Sequence, residues 1–83
     1  MNKIIIKLYI PCLEKEYDVK IPTFLTIGEI IHLLTKSVAY LSNGKFYPSG
    51  SEILCAKNKN LLLDYKRQVC EYGIQNGYQL ILF

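Results

Sequence analysis

The sequence predicts an α+β domain in which alternating strands pack against a single amphipathic helix. Three stretches carry that expectation. The first is a pair of alternating runs, Lys3–Ile10 and residues 16–21, joined by a short link that contains Pro11. The second is one helical stripe that opens on Thr26-Ile27-Gly28-Glu29. The third is the closing segment 71–83, where Gly73 and Asn76-Gly77 can adopt positive φ at little cost before a last alternating run.

Successive side chains of a strand point to opposite faces. In the first run Ile4, Ile6 and Leu8 therefore share one face, while Lys3, Ile5, Lys7 and Tyr9 share the other. After a turn over 11–15, Tyr17, Val19 and Ile21 are directed inward and three charges outward. Pro22 ends this run because it cannot donate to a ladder. The two runs make a hairpin. Thr26 and Glu29 form a capping box, in which the hydroxyl accepts from the N3 amide and the carboxylate reaches back. The helix is expected to run to about Leu41. Ile27, Ile30, Ile31, Leu34, Val38 and Leu41 make its buried stripe, and Gly28, Glu29, His32, Thr35 and Lys36 face away. Gly28 costs up to ~1 kcal/mol against Ala, and the Thr26 cap offsets it by a similar ~1 kcal/mol.

Asn43-Gly44 ends the helix. A polar, aromatic loop over 45–51 leads to a short strand at 53–56, a polar turn at 57–60 and another short strand at 61–63. Residues 64–70 then cross the molecule. In the last run Leu80 and Leu82 are directed inward, with Gln79, Ile81 and Phe83 on the opposite face.

At 83 residues the chain is read as one domain, 1–83, with a single core. A domain of this size buries only roughly 60–65% of its unfolded surface. Its 51% hydrophobic and 20% charged residues describe a folded globule rather than a disordered segment. The net charge of +3 comes from scattered lysines, so no nucleic-acid partner is expected. Cys12, Cys55 and Cys70 are odd in number and lack C-x-x-C spacing, which suits reduced thiols better than a disulfide framework or a zinc site. No run approaches ~18 apolar residues, and the apolar start is too short for a signal peptide. A cytoplasmic location without membrane insertion is expected.

The order of elements, strand, strand, helix, strand, short strand, 3₁₀ turn, strand, resembles the β-grasp fold of ubiquitin. Thr26-Ile27-Gly28-Glu29-Ile30 resembles the start of ubiquitin's helix, and Ile53-Leu54-Cys55-Ala56 its third strand. Val69-Cys70-Glu71-Tyr72-Gly73-Ile74-Gln75 is similar to the 3₁₀ turn that leads to its last strand. The resemblance implies a mixed sheet packed on one helix, with the first and last strands parallel at its centre. Within that superfamily the Gly73-Ile74-Gln75-Asn76-Gly77 reversal is most similar to the YukD/EsaB group, ubiquitin-like accessory proteins of Gram-positive type VII secretion systems. That resemblance implies a cytosolic, non-enzymatic part that docks onto other proteins, including membrane-anchored secretion machinery.

Modifiers and sulfur carriers of this fold end in a flexible Gly-Gly tail, because the carboxylate must reach into an activating enzyme. This sequence ends in Leu82-Phe83 within its last predicted strand, so that alternative role is disfavoured. The preferred binding surface is the outer face of the sheet. There Ile81 and Phe83 are expected to point outward, and Ile53 inward puts Leu54 outward, with Ile5 and Tyr9 joining from the first strand. An apolar patch of a few hundred Å² on a small domain signals an interface. Docking a partner protein is preferred over homodimer formation and over scattered apolar exposure. Phe46 and Tyr47, in the loop after the helix, are candidate recognition aromatics; the competing reading folds one ring down onto the helix end. His32 stands without a second metal ligand. Asp18, Glu29, Asp64 and Glu71 form no acid–base pair, and the sequence holds no P-loop, dinucleotide or metal motif. No catalytic residue and no cofactor is therefore assigned.

Overall fold

The N-terminal hairpin forms as its alternation dictates. The computed structural model describes residues 3–46, 48–57 and 61–83. Strand β1 (Lys3–Ile10) pairs antiparallel with β2 (Lys15–Pro22) in a register that runs from Lys3 opposite Pro22 to Ile10 opposite Lys15. Between them Leu13 donates its N–H to the Ile10 carbonyl at 3.1 Å and Glu14 to that of Pro11 at 3.1 Å. Glu14 sits in the left-handed region at φ 53°.

Helix α1 spans Ile27–Leu41, and its capping box is present on both sides. The Glu29 N–H donates to Thr26 Oγ1 at 3.2 Å, and the Thr26 N–H to Glu29 Oε1 at 2.9 Å. The next two free amides of the first turn find partners far along the chain. Ile27 donates to the Arg67 carbonyl at 2.8 Å and Gly28 to that of Tyr65 at 3.1 Å. This close approach accounts for the glycine: a Cβ on Gly28 would lie 3.4 Å from the Tyr65 oxygen. At the other end Asn43 (φ 55°) and Gly44 (φ 80°) turn the chain out of the helix, and Gly44 donates back to the Ala39 carbonyl at 3.0 Å.

The remaining strands are β3 (Leu54–Ala56), β4 (Leu61–Leu62) and β5 (Gln79–Leu82), with a 3₁₀ turn at Val69–Tyr72 before the last. The sheet order is β2-β1-β5-β3-β4. β5 is parallel to β1 and antiparallel to β3, and β3 is antiparallel to β4. This is the mixed sheet on one helix, with the first and last strands parallel, that the resemblance implies. The 3₁₀ turn ends at Gly73 in the left-handed conformation.

One face of the sheet and one stripe of the helix make the core. Ile6, Leu8 and Ile10 meet Leu80 and Leu82, Leu54 and Ala56, and Ile27, Ile30, Leu34 and Val38. Each such side chain contributes about 1.5–3 kcal/mol by leaving water, which is how so short a chain offsets its ordering entropy. Two helix positions depart from the simple stripe. Thr35 is buried rather than outward, since the loop before β3 covers that flank and the Thr35 hydroxyl donates to the His32 carbonyl at 2.9 Å. Leu41 is half exposed because the chain leaves the helix there, beside an open hollow lined by Leu13, Tyr17 and Lys45.

Two expected contact residues belong to the core instead. Leu54 is fully buried, because antiparallel register sets it opposite Leu82 and partners across a ladder share a face. Ile53 is then the outward residue. Phe46 is also buried; its N–H donates to Ser42 Oγ at 3.0 Å, which folds the loop back and turns the ring inward. Tyr47 lies outside the described residues, as do Asn58, Lys59 and Asn60 of the expected polar turn.

Truncating a core side chain leaves a cavity as well as losing transfer energy, so Leu54→Ala is expected to cost about 2–5 kcal/mol. Thr26→Ala, which removes the cap, is expected to cost about 1 kcal/mol. Urea unfolding followed by circular dichroism measures both. A cost for Leu54→Ala under about 1 kcal/mol would return that residue to the surface.

Candidate functional site

The pleat that buries one set of side chains presents the other set to solvent, and the strand registers place those residues in rows. Tyr9 lies opposite Glu16 on β2 and beside Ile81 on β5. Ile81 lies opposite Cys55, and Cys55 opposite Leu62. One row therefore crosses all five strands, Glu16, Tyr9, Ile81, Cys55, Leu62, a width of about 19 Å at normal strand spacing. Phe83 and Ile53 extend it by one step, since the Phe83 N–H donates to the Ile53 carbonyl at 2.9 Å and the Ile53 N–H to that of Phe83 at 3.3 Å. Leu62 is 62% exposed, Phe83 59% and Ile53 41%. Tyr9, Ile81 and Cys55 are half-buried among them.

The structure thus brings together three of the expected contact residues, Tyr9, Ile81 and Phe83. It adds Ile53, Cys55 and Leu62, which the sequence reading did not assign. Ile5 is exposed but stands apart, about 13 Å from Tyr9 along β1. A polar row separates them. In it Lys7 pairs with Asp18 at 3.6 Å and lies beside Gln79, whose Nε2 donates to Glu16 at 3.0 Å. At the border of the patch a shallow hollow of about 320 Å³ lies between Tyr9 and Ile81, rimmed by Glu14, Glu16, Lys57 and Gln79. The surface is apolar in the middle, flanked by charges of both signs.

The approach to Ile53 is fixed by Glu52, whose side chain closes the preceding loop on itself. Its carboxylate accepts from the Ser49 N–H at 2.5 Å, the Ser49 hydroxyl at 2.9 Å and the Gly50 N–H at 3.1 Å. The Tyr65 hydroxyl donates to the Glu52 carbonyl. Burial pushes the carboxyl pKa up, but the donors of Ser49 and Gly50 outweigh it and hold the pKa below the usual carboxylate value. The loop and the helix flank enclose a groove of about 530 Å³, lined in part by Gly28, His32, Thr35, Lys36 and Tyr65. His32 is exposed. Among the described residues no three His, Cys, Asp or Glu side chains are placed to hold a metal ion. Cys12 and Cys70 are exposed and, like Cys55, free. No described helix is long and apolar enough to cross a membrane. The arrangement offers a surface for contact.

No family model matches the chain, and no curated protein matches it in sequence. Solved structures do match. The EccD5 ubiquitin-like domain from Mycobacterium xenopi superposes with a TM-score of 0.80 at 15% identity, covering 100% of this chain and 94% of that one. The UBL domain of Plasmodium falciparum Dsk2 gives 0.75 at 19% identity, over 96% and 95% of the two chains. A ubiquitin-like domain of Arabidopsis thaliana gives 0.70 at 21%, over 100% and 78%. The chain has the ubiquitin-like β-grasp fold.

Glu52 also makes a test of the loop. A carboxyl whose folded pKa lies below its unfolded value stabilises the fold fully above about 4.5 and loses that contribution as pH falls through the folded value. Glu52→Gln is therefore expected to be about 2 kcal/mol less stable than the parent at pH 7. The gap narrows as the solution is acidified through the carboxylate range. Denaturant titrations at pH 7 and near pH 3 check this; a gap that stays constant would remove the charge from the explanation.

Proposed function

We propose that this chain is a protein-docking module that uses the outer face of its sheet, and that it serves as a cytosolic, non-enzymatic accessory part of a type VII secretion system. The observation that carries the docking reading is the unbroken apolar run Tyr9, Ile81, Cys55 and Leu62 with Ile53 and Phe83 beside it. A small domain gains nothing in its own stability from exposing such a face, and contiguous exposed apolar area is the usual mark of an interface. Aromatic and branched side chains held on strands reach a partner already ordered, which lowers the entropy cost of binding. The secretion role rests on the resemblance of the Gly73–Gly77 reversal to the YukD/EsaB group. The close superposition with the EccD5 domain is in line with it. A partner protein of that machinery, rather than nucleic acid or a small ligand, is the expected occupant.

Deletion of the gene in its host, followed by complementation, tests the reading. Loss of small helical proteins from the culture medium is the expected effect of deletion. Ile81→Arg with Leu62→Arg places two cations on the face while leaving the core side untouched, because long cationic side chains keep their charged heads in water. This double variant is expected to stay folded and to restore less than about a tenth of secretion, a loss that corresponds to removing two interface contacts. Full restoration by the folded variant would eliminate the proposed face, and secretion unaffected by deletion would eliminate the secretion role.

A further inference from the structure

The outer edge of β2 is a long strand edge that no described residue pairs with. Its backbone parity follows from the neighbouring ladder. Lys7 donates its N–H to Tyr78 at 2.9 Å, and Ile5 accepts from the Gly77 N–H at 2.9 Å, so the odd residues of β1 face β5. The even residues bond to β2 through Lys15, Tyr17, Val19 and Ile21. Glu16, Asp18, Lys20 and Pro22 therefore turn their backbone groups away from the sheet. Pro22 brings no N–H, and its ring would meet an incoming carbonyl. Glu14 has already left the extended conformation. The edge open to pairing is residues 16–20.

An open edge fits an extended chain, and the side chains specify which one. Antiparallel pairing of this window with itself is centred on Asp18. It sets Glu16 opposite the partner's Lys20, twice. On the helix side it sets half-buried Tyr17 opposite the partner's Val19, also twice. These are non-hydrogen-bonded positions, where cross-strand side chains come closest. Asp18 meets its own copy, but the Lys7 ammonium lies 3.6 Å away on each side. Other registers fit worse. Sliding one way sets Glu16 against the partner's Asp18, and sliding the other way sets Pro22 against a carbonyl. The edge is self-complementary in one register.

We propose that two copies of the chain pair through their β2 edges, antiparallel about Asp18, to form one continuous sheet. The two-fold axis then stands perpendicular to the sheet, so both outer faces lie side by side and both helices lie behind. The docking face of each copy stays open, and the pairing does not depend on what that face binds. A contact of this kind buries little area, so it is reversible and follows concentration.

Sedimentation velocity and NMR amide exchange from about 10 µM to 1 mM test the pairing. The dimer is expected to grow over this range, with the amides of Glu16, Asp18 and Lys20 gaining protection. Glu16→Lys, which turns two attractions into repulsions, is expected to weaken it about tenfold or more. Adding Lys20→Glu to that variant restores opposite signs and returns affinity to within about threefold of the parent. A monomer throughout, a dimer with unprotected edge amides, or a double variant no stronger than Glu16→Lys would each overturn the proposal. Such a failure leaves the docking face untouched, since Ile81→Arg with Leu62→Arg reads that face separately.

Discussion

The parallel pairing of β1 with β5 is the contact on which the rest of the sheet depends. It joins segments from opposite ends of the sequence, so its loop-closure entropy is offset only once both strands are buried. Leu8 beside Leu80 at the centre provides that burial. The start of the ladder is set by a side chain: Asn76 Oδ1 accepts from the Ile5 N–H at 2.8 Å, and Gly77 donates to the Ile5 carbonyl. With φ at 86°, Gly77 makes that turn without the strain a side chain would add. Asn76-Gly77 is thus both the reversal before β5 and the clamp that aligns it.

That alignment also makes the outer surface. Once Leu80 and Leu82 are fixed inward, every strand paired to β5 inherits its parity. Tyr9 on one side and Cys55 on the other are then committed to the face of Ile81. The apolar patch is a consequence of register, carried across three ladders, rather than of any local cluster in the sequence. Its position opposite the helix separates two demands: the helix side supplies stability, and the outer side is left to vary with what it contacts.

How far the fold can be read from the sequence depended on contrast. β2 alternates charged with apolar residues, β1 carries Lys3 and Lys7 on its outward face, and Gln79 marks the outward face at the start of β5. The capping box at Thr26 and Glu29 is a local bond pattern with a local signature. Ile53-Leu54-Cys55-Ala56 has no such contrast, because all four are apolar, and its parity is decided by pairing with Leu82 and Leu80. The known inward direction of those two leucines, combined with antiparallel pairing, would have given Leu54 inward and Ile53 outward. Leu62 could not be placed without the same register. Phe46 and Thr35 were hidden for another reason. Both are buried by a loop whose path is set by Ser42 and Glu52 side-chain bonds, which no periodicity records.

The start of the helix has a kinetic meaning. Helix α1 and the hairpin before it can form from contacts close in sequence, and such contacts form early. Yet the amides of Ile27 and Gly28 close onto Arg67 and Tyr65, which arrive only when the crossing segment is laid down. The first turn of the helix is therefore complete only when the crossing segment is in place. Solvent exchange at those two amides reports whether the crossing segment is in place, whereas exchange at the middle of the same helix, packed into the core, reports the opening of the whole domain.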